Sequence, residues 1–180
     1  MSSRIRTLAM IGIFAALSYV TTLLIRPTFN EFLTFDFKDT VIGIAGLVIG
    51  PLGAVALSLT VSILEMFISG TGLVGVIMNV ASTLAFVGPI ALMYARKPSV
   101  NAVAIGTAIG IIAMTAVMLL LNYLITPIYQ GVPREIVAGM LIPVFLPFNL
   151  LKASMNGVLI LLLYRPVVRG LSAVGLNKKE

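Results

Sequence analysis

The sequence predicts an all-α integral membrane protein, a compact bundle of six transmembrane helices of which the second is short. Three observations carry this. Of its 180 residues, 59% are hydrophobic and only 10% charged, with a mean hydropathy of +1.13, well outside the composition of an ordinary soluble domain. The apolar residues fall into six runs, most of them near the ~20 residues a helix needs to cross the hydrocarbon layer. Lys and Arg gather in alternate connections between these runs, as the positive-inside rule requires.

Taken in order, the first span is Thr7 to Ile25. The opening MSSRIR followed by an apolar run resembles a signal peptide, but the run is long enough to span and ends at Arg26-Pro27 without an A-x-A cleavage site. An uncleaved first helix is therefore expected. The second span, Thr40 to Ile49, is cut short at Gly50-Pro51, because Pro starts a helix far better than it continues one. It forms a broken hairpin with the third, Pro51 to Ile68. Leu73 to Ala95 and Val100 to Thr126 make spans four and five, and Pro143 to Tyr164 makes the sixth. Residues 1–180 read as a single transmembrane domain, with no linker, low-complexity tract or internal repeat.

With both termini cytoplasmic, the inner side holds Arg4, Arg6, Arg96, Lys97, Arg165, Arg169, Lys178 and Lys179, and the outer side only Arg26, Lys38 and Arg134. Residues 26–39, 69–72 and 127–140 are then external. Several functions are disfavoured by composition. There is no Cys, which removes disulfides and thiolate metal sites, and no His, the commonest metal ligand and general base. The net charge of +6 comes from short basic pairs beside apolar runs rather than from an aromatic-interleaved basic patch, so nucleic acid is not an expected partner. No G-x-x-x-x-G-K-[ST] sequence is present, so the chain is not a P-loop ATPase.

The polar residues inside the spans are the informative ones. In FNLLKASMNG, Asn149, Lys152 and Asn156 stand at i, i+3 and i+7, one face of a helix that is otherwise apolar. Counted at about 1.5 Å per residue from the external ends, Glu65, Asn79, Asn122, Asn149 and Lys152 all lie in the outer half of the membrane. Singly, an intramembrane Asn is most often interhelical glue, and a lone Lys snorkels. Five such groups at one depth suggest instead an outward-facing pocket, covered by the loop EFLTFDFKDT. Its Phe32, Phe35 and Phe37 offer apolar surface, and Thr34, Asp36 and Thr40 offer hydrogen bonds. Amides that both donate and accept, a lysine with three donors and abundant Leu, Ile and Met suit a small planar molecule bearing hydroxyls or amides.

Three stretches, LTFDFKDT followed by GLVIGPLGAV, LLLNYLITPIY from Leu119, and IPVFLPFNLLKASMNGVLILLLYR, resemble the substrate-binding S components of energy-coupling factor (ECF) transporters, specifically the riboflavin family. The resemblance implies six helices, capture of riboflavin from the external face, and assembly in the cell membrane with a transmembrane T component and two ATPases. It implies flavin as cargo and no resident cofactor. Carried over by motif, it makes Asn122, Asn149 and Lys152 ligand contacts, together with Thr34, Phe35 and Asp36 of the LTFDF loop. Thr40, Glu65, Asn79 and Tyr129 complete the candidate set. Glu65 stands where the resemblance leads one to expect an amide, and a pairing with Lys152 is the expectation for it. Small residues on the first helix, Ala9, Gly12, Ala15 and Ala16, are the candidate T-component contact, in a pattern close to the family's A-x-x-x-A. An S component for another vitamin is the nearest alternative. A self-contained carrier using Glu65 and Lys152 as an ion relay is disfavoured by the lack of a repeated half, and a membrane enzyme by the lack of a catalytic constellation.

Overall fold

The structure is a computed structural model that describes residues 3–25, 28–30 and 33–173. Helix α1 (Ser3–Leu24) leads to a minimal antiparallel hairpin, β1 (Thr28–Asn30) with β2 (Leu33–Thr34). There follow α2 (Lys38–Ile49), α3 (Pro51–Ser69), α4 (Gly72–Arg96) and α5 (Val100–Gln130). The last rod is α6 (Arg134–Met140), a π-helical turn (Leu141–Phe145) and α7 (Leu146–Ala173), end to end. Five stretches are long and apolar enough to cross a membrane: Ile5–Leu24, Pro51–Ser69, Gly72–Arg96, Val100–Gln130 and Arg134–Leu171. With α2 as the short sixth element, the bundle is the all-α membrane fold expected.

Helix α2 explains the architecture. Its 12 residues make a rod of about 18 Å, too short to span, yet all but one are buried. A helix apolar on every side must be enclosed by other helices, and α2 is the axis around which α1, α3, α4 and α7 pack. Small residues let them close in. A Cβ on Gly43 would lie 2.4 Å from Ile160 Cδ1 of α7, and one on Gly46 would lie 3.2 Å from both Ala54 of α3 and Ala91 of α4. At Gly50 the backbone turns with φ +87°, a conformation that glycine adopts without strain, and Pro51 opens α3 directly after it. The Gly50-Pro51 break anticipated from sequence is therefore a real corner.

Helices α4 and α5 approach closely along Gly106 and Gly110. A Cβ at Gly110 would sit 2.3 Å from the Phe86 carbonyl oxygen, and one at Gly106 would sit 2.7 Å from Ile90 Cα. Both obstacles are backbone, which cannot rotate away. Gly110→Ala is therefore expected to cost about 1–3 kcal/mol by forcing the helices apart. The check is thermal unfolding in detergent, where an unchanged midpoint would show that the two helices separate freely.

Several boundaries differ from the sequence reading, two of them bounding the segment 127–140. Helix α5 continues past Thr126 through Pro127 to Gln130, and the last helix begins at Arg134 rather than at Pro143. Residues 127–140 are thus mostly a helical hairpin turning at Gly131 (φ +66°), not a loop. Proline is tolerated inside membrane helices when local adjustments absorb its missing N–H, and the π-helical turn around Pro143 is such an adjustment. Above the main core, Leu33 of the hairpin packs with Val137 of α6 and Phe145 of the π-turn, closing this end of the bundle.

Candidate functional site

A cavity of about 320 Å³ lies at the end of the bundle that carries the hairpin and the α3–α4 and α5–α6 turns. That volume falls within the range of about 300–1,000 Å³ common to small-molecule sites. Its walls come from the start of α2, the ends of α3 and α5, the start of α4 and the middle of the last rod. Met78, Met114, Met118 and Phe148 supply apolar wall, and Ser69, Thr71, Tyr129 and Gln130 lie toward the helix ends.

The polar wall is built from side chains placed across helices. Lys38, in the first turn of α2, makes an ion pair with Glu65 of α3, and Glu65 Oε2 also accepts from Asn79 Nδ2 of α4 at 2.9 Å. Lys152 Nζ of α7 lies 2.8 Å from Asp36 Oδ2, in the segment between β2 and α2. All four charged side chains are almost fully buried. Such burial is sustained only where each charge has a partner, and here each has one. Burial pushes the Asp36 carboxyl up, but the Lys152 and Lys38 ammoniums beside it more than offset this, and it stays below its ordinary value.

Asn156, one turn past Lys152, holds this arrangement in register. Its Oδ1 accepts from Thr40 N at 3.0 Å and from Thr40 Oγ1 at 2.7 Å, and its Nδ2 donates to Asp36 O at 3.1 Å and Lys152 O at 3.0 Å. All its hydrogen-bonding capacity is used. Because Phe37 at the N-cap of α2 offers no side-chain acceptor, Asn156 caps that helix from α7. Asp39, next in α2, accepts from Thr83 Oγ1 at 2.6 Å.

The amides are oriented by their own helices. Asn149 Nδ2 donates to Phe145 O at 2.7 Å, and Asn122 Nδ2 to Met118 O at 2.7 Å, while Asn122 Oδ1 accepts from Thr126 Oγ1 at 3.0 Å. The Phe145 carbonyl that Asn149 uses belongs to the π-turn, where one residue too many leaves the regular helical pairing disturbed. In Lys152, two of three ammonium donors remain after Asp36 is served, and Asp36 Oδ1 is buried without a hydrogen-bond partner. The site therefore keeps spare ammonium donors on Lys152, while Asp36 Oδ1 is closed inside the wall.

Of the residues singled out from sequence, Asp36, Glu65, Asn79, Asn122, Tyr129, Asn149 and Lys152 meet at this one cavity. Phe35 does not line it. Its ring is 3% exposed and meets Phe37 edge to face, with centroids 4.9 Å apart. Thr40 does not line it either, being clasped by Asn156. Thr34 lies in β2, and Phe32 falls outside the described residues.

The expected Glu65–Lys152 pairing is corrected: Lys152 is taken by Asp36, and Lys38, standing across from α3, takes Glu65. Lys38 had read as an external loop cation, and Asn156 as part of a polar stripe without a role. A signal for both existed in the alternation Asp36-x-Lys38-Asp39 directly before an apolar run, since charges so placed must find buried partners. On α1, Ala9, Gly12 and Ala16 are exposed, whereas Ala15 is buried in the core and is corrected to an internal packing residue.

Comparison with known proteins identifies the family. The family model described as ECF transporter, substrate-specific component, matches residues 6–164. The chain is 28% identical to "Riboflavin transporter FmnP" of Bacillus subtilis (strain 168), over 89% of this chain and 91% of that protein. It is 25% identical to "Riboflavin transporter RibU" of Staphylococcus aureus (strain TCH60), over 94% of each. A solved structure described as "Structure and mechanism of the S component of a bacterial ECF transporter" superposes with a TM-score of 0.79 at 27% identity, covering 94% of this chain and 99% of that one. The chain belongs to the substrate-specific components of ECF transporters, multi-pass membrane transport subunits and not enzymes.

Proposed function

We propose that this chain is a riboflavin-binding S subunit, taking the vitamin from the external side and delivering it inward with a T component and two ATPases. The observation that carries the reading is the cavity itself, where Asn79, Asn122, Asn149 and the Lys152–Asp36 pair converge beside Met and Phe side chains. Riboflavin presents a flat apolar ring edged by amide-like donors and acceptors and a hydroxylated chain, the chemistry such a wall complements. The names of the two relatives support the same ligand. Tyr129 lines the proposed site, and Thr34, Phe35 and Thr40 belong to it as its surround. The flavin is cargo, and the reading calls for no resident cofactor.

Both termini are assigned to the cytoplasm, which puts the cavity on the external side. The Lys and Arg distribution supports this more strongly once Lys38 is removed from the external count as a buried, paired residue. Energy for uptake comes from the partner ATPases, since the sequence has no P-loop.

Titration of the purified protein with riboflavin, following quenching of flavin fluorescence, tests the ligand. Saturable quenching at one equivalent is expected, and protein purified from riboflavin-containing medium is expected to be yellow. Absence of quenching, with saturable binding of a different vitamin, would overturn the assignment.

A further inference from the structure

The cavity's charges have a consequence for ligand choice, which rests on the flavin reading above. Two lysines and two carboxylates line it, and each lysine is committed to a carboxylate: Lys38 to Glu65, and Lys152 to Asp36. The rest of the polar wall is neutral, made of amides and hydroxyls, with no further cation among the described lining residues. A third carboxylate, Asp39, stands in the first turn of α2, three residues from Asp36, held by the Thr83 hydroxyl. The charges lining the cavity are thus balanced within it, and its spare ammonium donors belong to a lysine that is already paired.

A phosphate monoester carries a charge of about −1.5 to −2 at pH 7. To bind here it would have to draw Lys38 or Lys152 away from its partner, leaving a buried carboxylate uncompensated, or else lie against two carboxylates with no free cation. A neutral hydroxyl or imide N–H meets no such obstacle. We propose that Glu65 and Asp36 are specificity-determining residues: by holding Lys38 and Lys152 in ion pairs they make the cavity accept dephosphorylated flavin and reject its phosphate ester.

The experiment compares riboflavin, riboflavin 5′-phosphate and the uncharged 5′-acetate ester on the full chain in detergent. The phosphate is expected to bind on the order of 100-fold more weakly than riboflavin, as opposed like charges in a desolvated site require. The acetate, similar in bulk and uncharged, is expected to follow riboflavin within about threefold, because it raises no charge conflict. Glu65→Gln keeps an acceptor for Asn79 but releases Lys38, and the phosphate-to-riboflavin ratio is expected to narrow by about tenfold. Equal binding of riboflavin and its phosphate would overturn the inference while leaving the vitamin assignment standing. So would equal rejection of acetate and phosphate, since bulk and not charge would then decide; this comparison needs no variant to fold. Failure of riboflavin itself to bind would remove the assignment and this inference together.

Discussion

Lys152→Met is expected to abolish detectable riboflavin binding and to lower the unfolding midpoint by about 10 °C, corresponding to about 3–5 kcal/mol in a chain of this size. Read as a lone intramembrane ammonium, Lys152 would be a burden whose removal relieves the fold. Its geometry reverses the sign. With Lys152 gone, the Asp36 carboxylate stays where Asn156 holds its backbone carbonyl, 3.1 Å from the amide, and loses its nearest cation while almost fully buried. The double variant Asp36→Leu with Lys152→Met removes both charges and is expected to recover most of the stability, since a buried pair exchanged for apolar groups is close to neutral. Binding is expected to stay lost in the double variant, because the two spare ammonium donors go with it. Thermal unfolding in detergent beside fluorescence titration separates the two effects. A single variant as stable as the parent would show that the ammonium reaches water and the pair carries no folding energy.

The contrast marks where the sequence is legible and where it stops being so. Spans are legible because lipid imposes length and composition on them directly, and the corner at Gly50-Pro51 because both residues have few alternatives there. Depth is legible too: Glu65, Asn79, Asn122, Asn149 and Lys152 could be put at one level by counting residues, and they line one cavity. Partner choice is not legible. Which carboxylate faces Lys152 depends on how α2 sits against α3 and α7, a matter of interhelical register decided by contacts such as Gly43 on Ile160 and Gly46 on Ala54. For the same reason Lys38, two residues ahead of the expected second span, belongs to the site and not to a loop.

Prolines misled for a related reason. In water Pro127 and Pro143 would punctuate helices, but in a bundle enclosed by lipid the helix persists and a π-turn absorbs the defect. The helix faces were the least legible of all. Helix α1 is apolar nearly all round, so nothing in its pattern distinguishes Ala15, which packs inside, from Ala16 beside it, which faces out.

That distinction yields the second large effect. Gly12→Leu is expected to reduce vitamin uptake to background in cells supplying the T component and ATPases, while the isolated subunit binds riboflavin as the parent does. Ala9, Gly12 and Ala16 form an exposed strip on α1 at spacings of three and four, and a Cβ at Gly12 would meet nothing within 4 Å. A leucine there has room in the free subunit and disturbs nothing near the cavity. A partner helix, however, gains its affinity in lipid from close backbone approach over small residues, and one isobutyl group holds the two axes apart. Ala15→Leu supplies the control. Its side chain points into the core, so it is expected to cost about 1–3 kcal/mol by overpacking and to lower binding and uptake together. Uptake at the parental rate in Gly12→Leu would move the contact to another face of the subunit. Equal loss of binding and uptake in Gly12→Leu would mean that α1 acts through the subunit's own packing, and the exposed strip would then have no partner to explain.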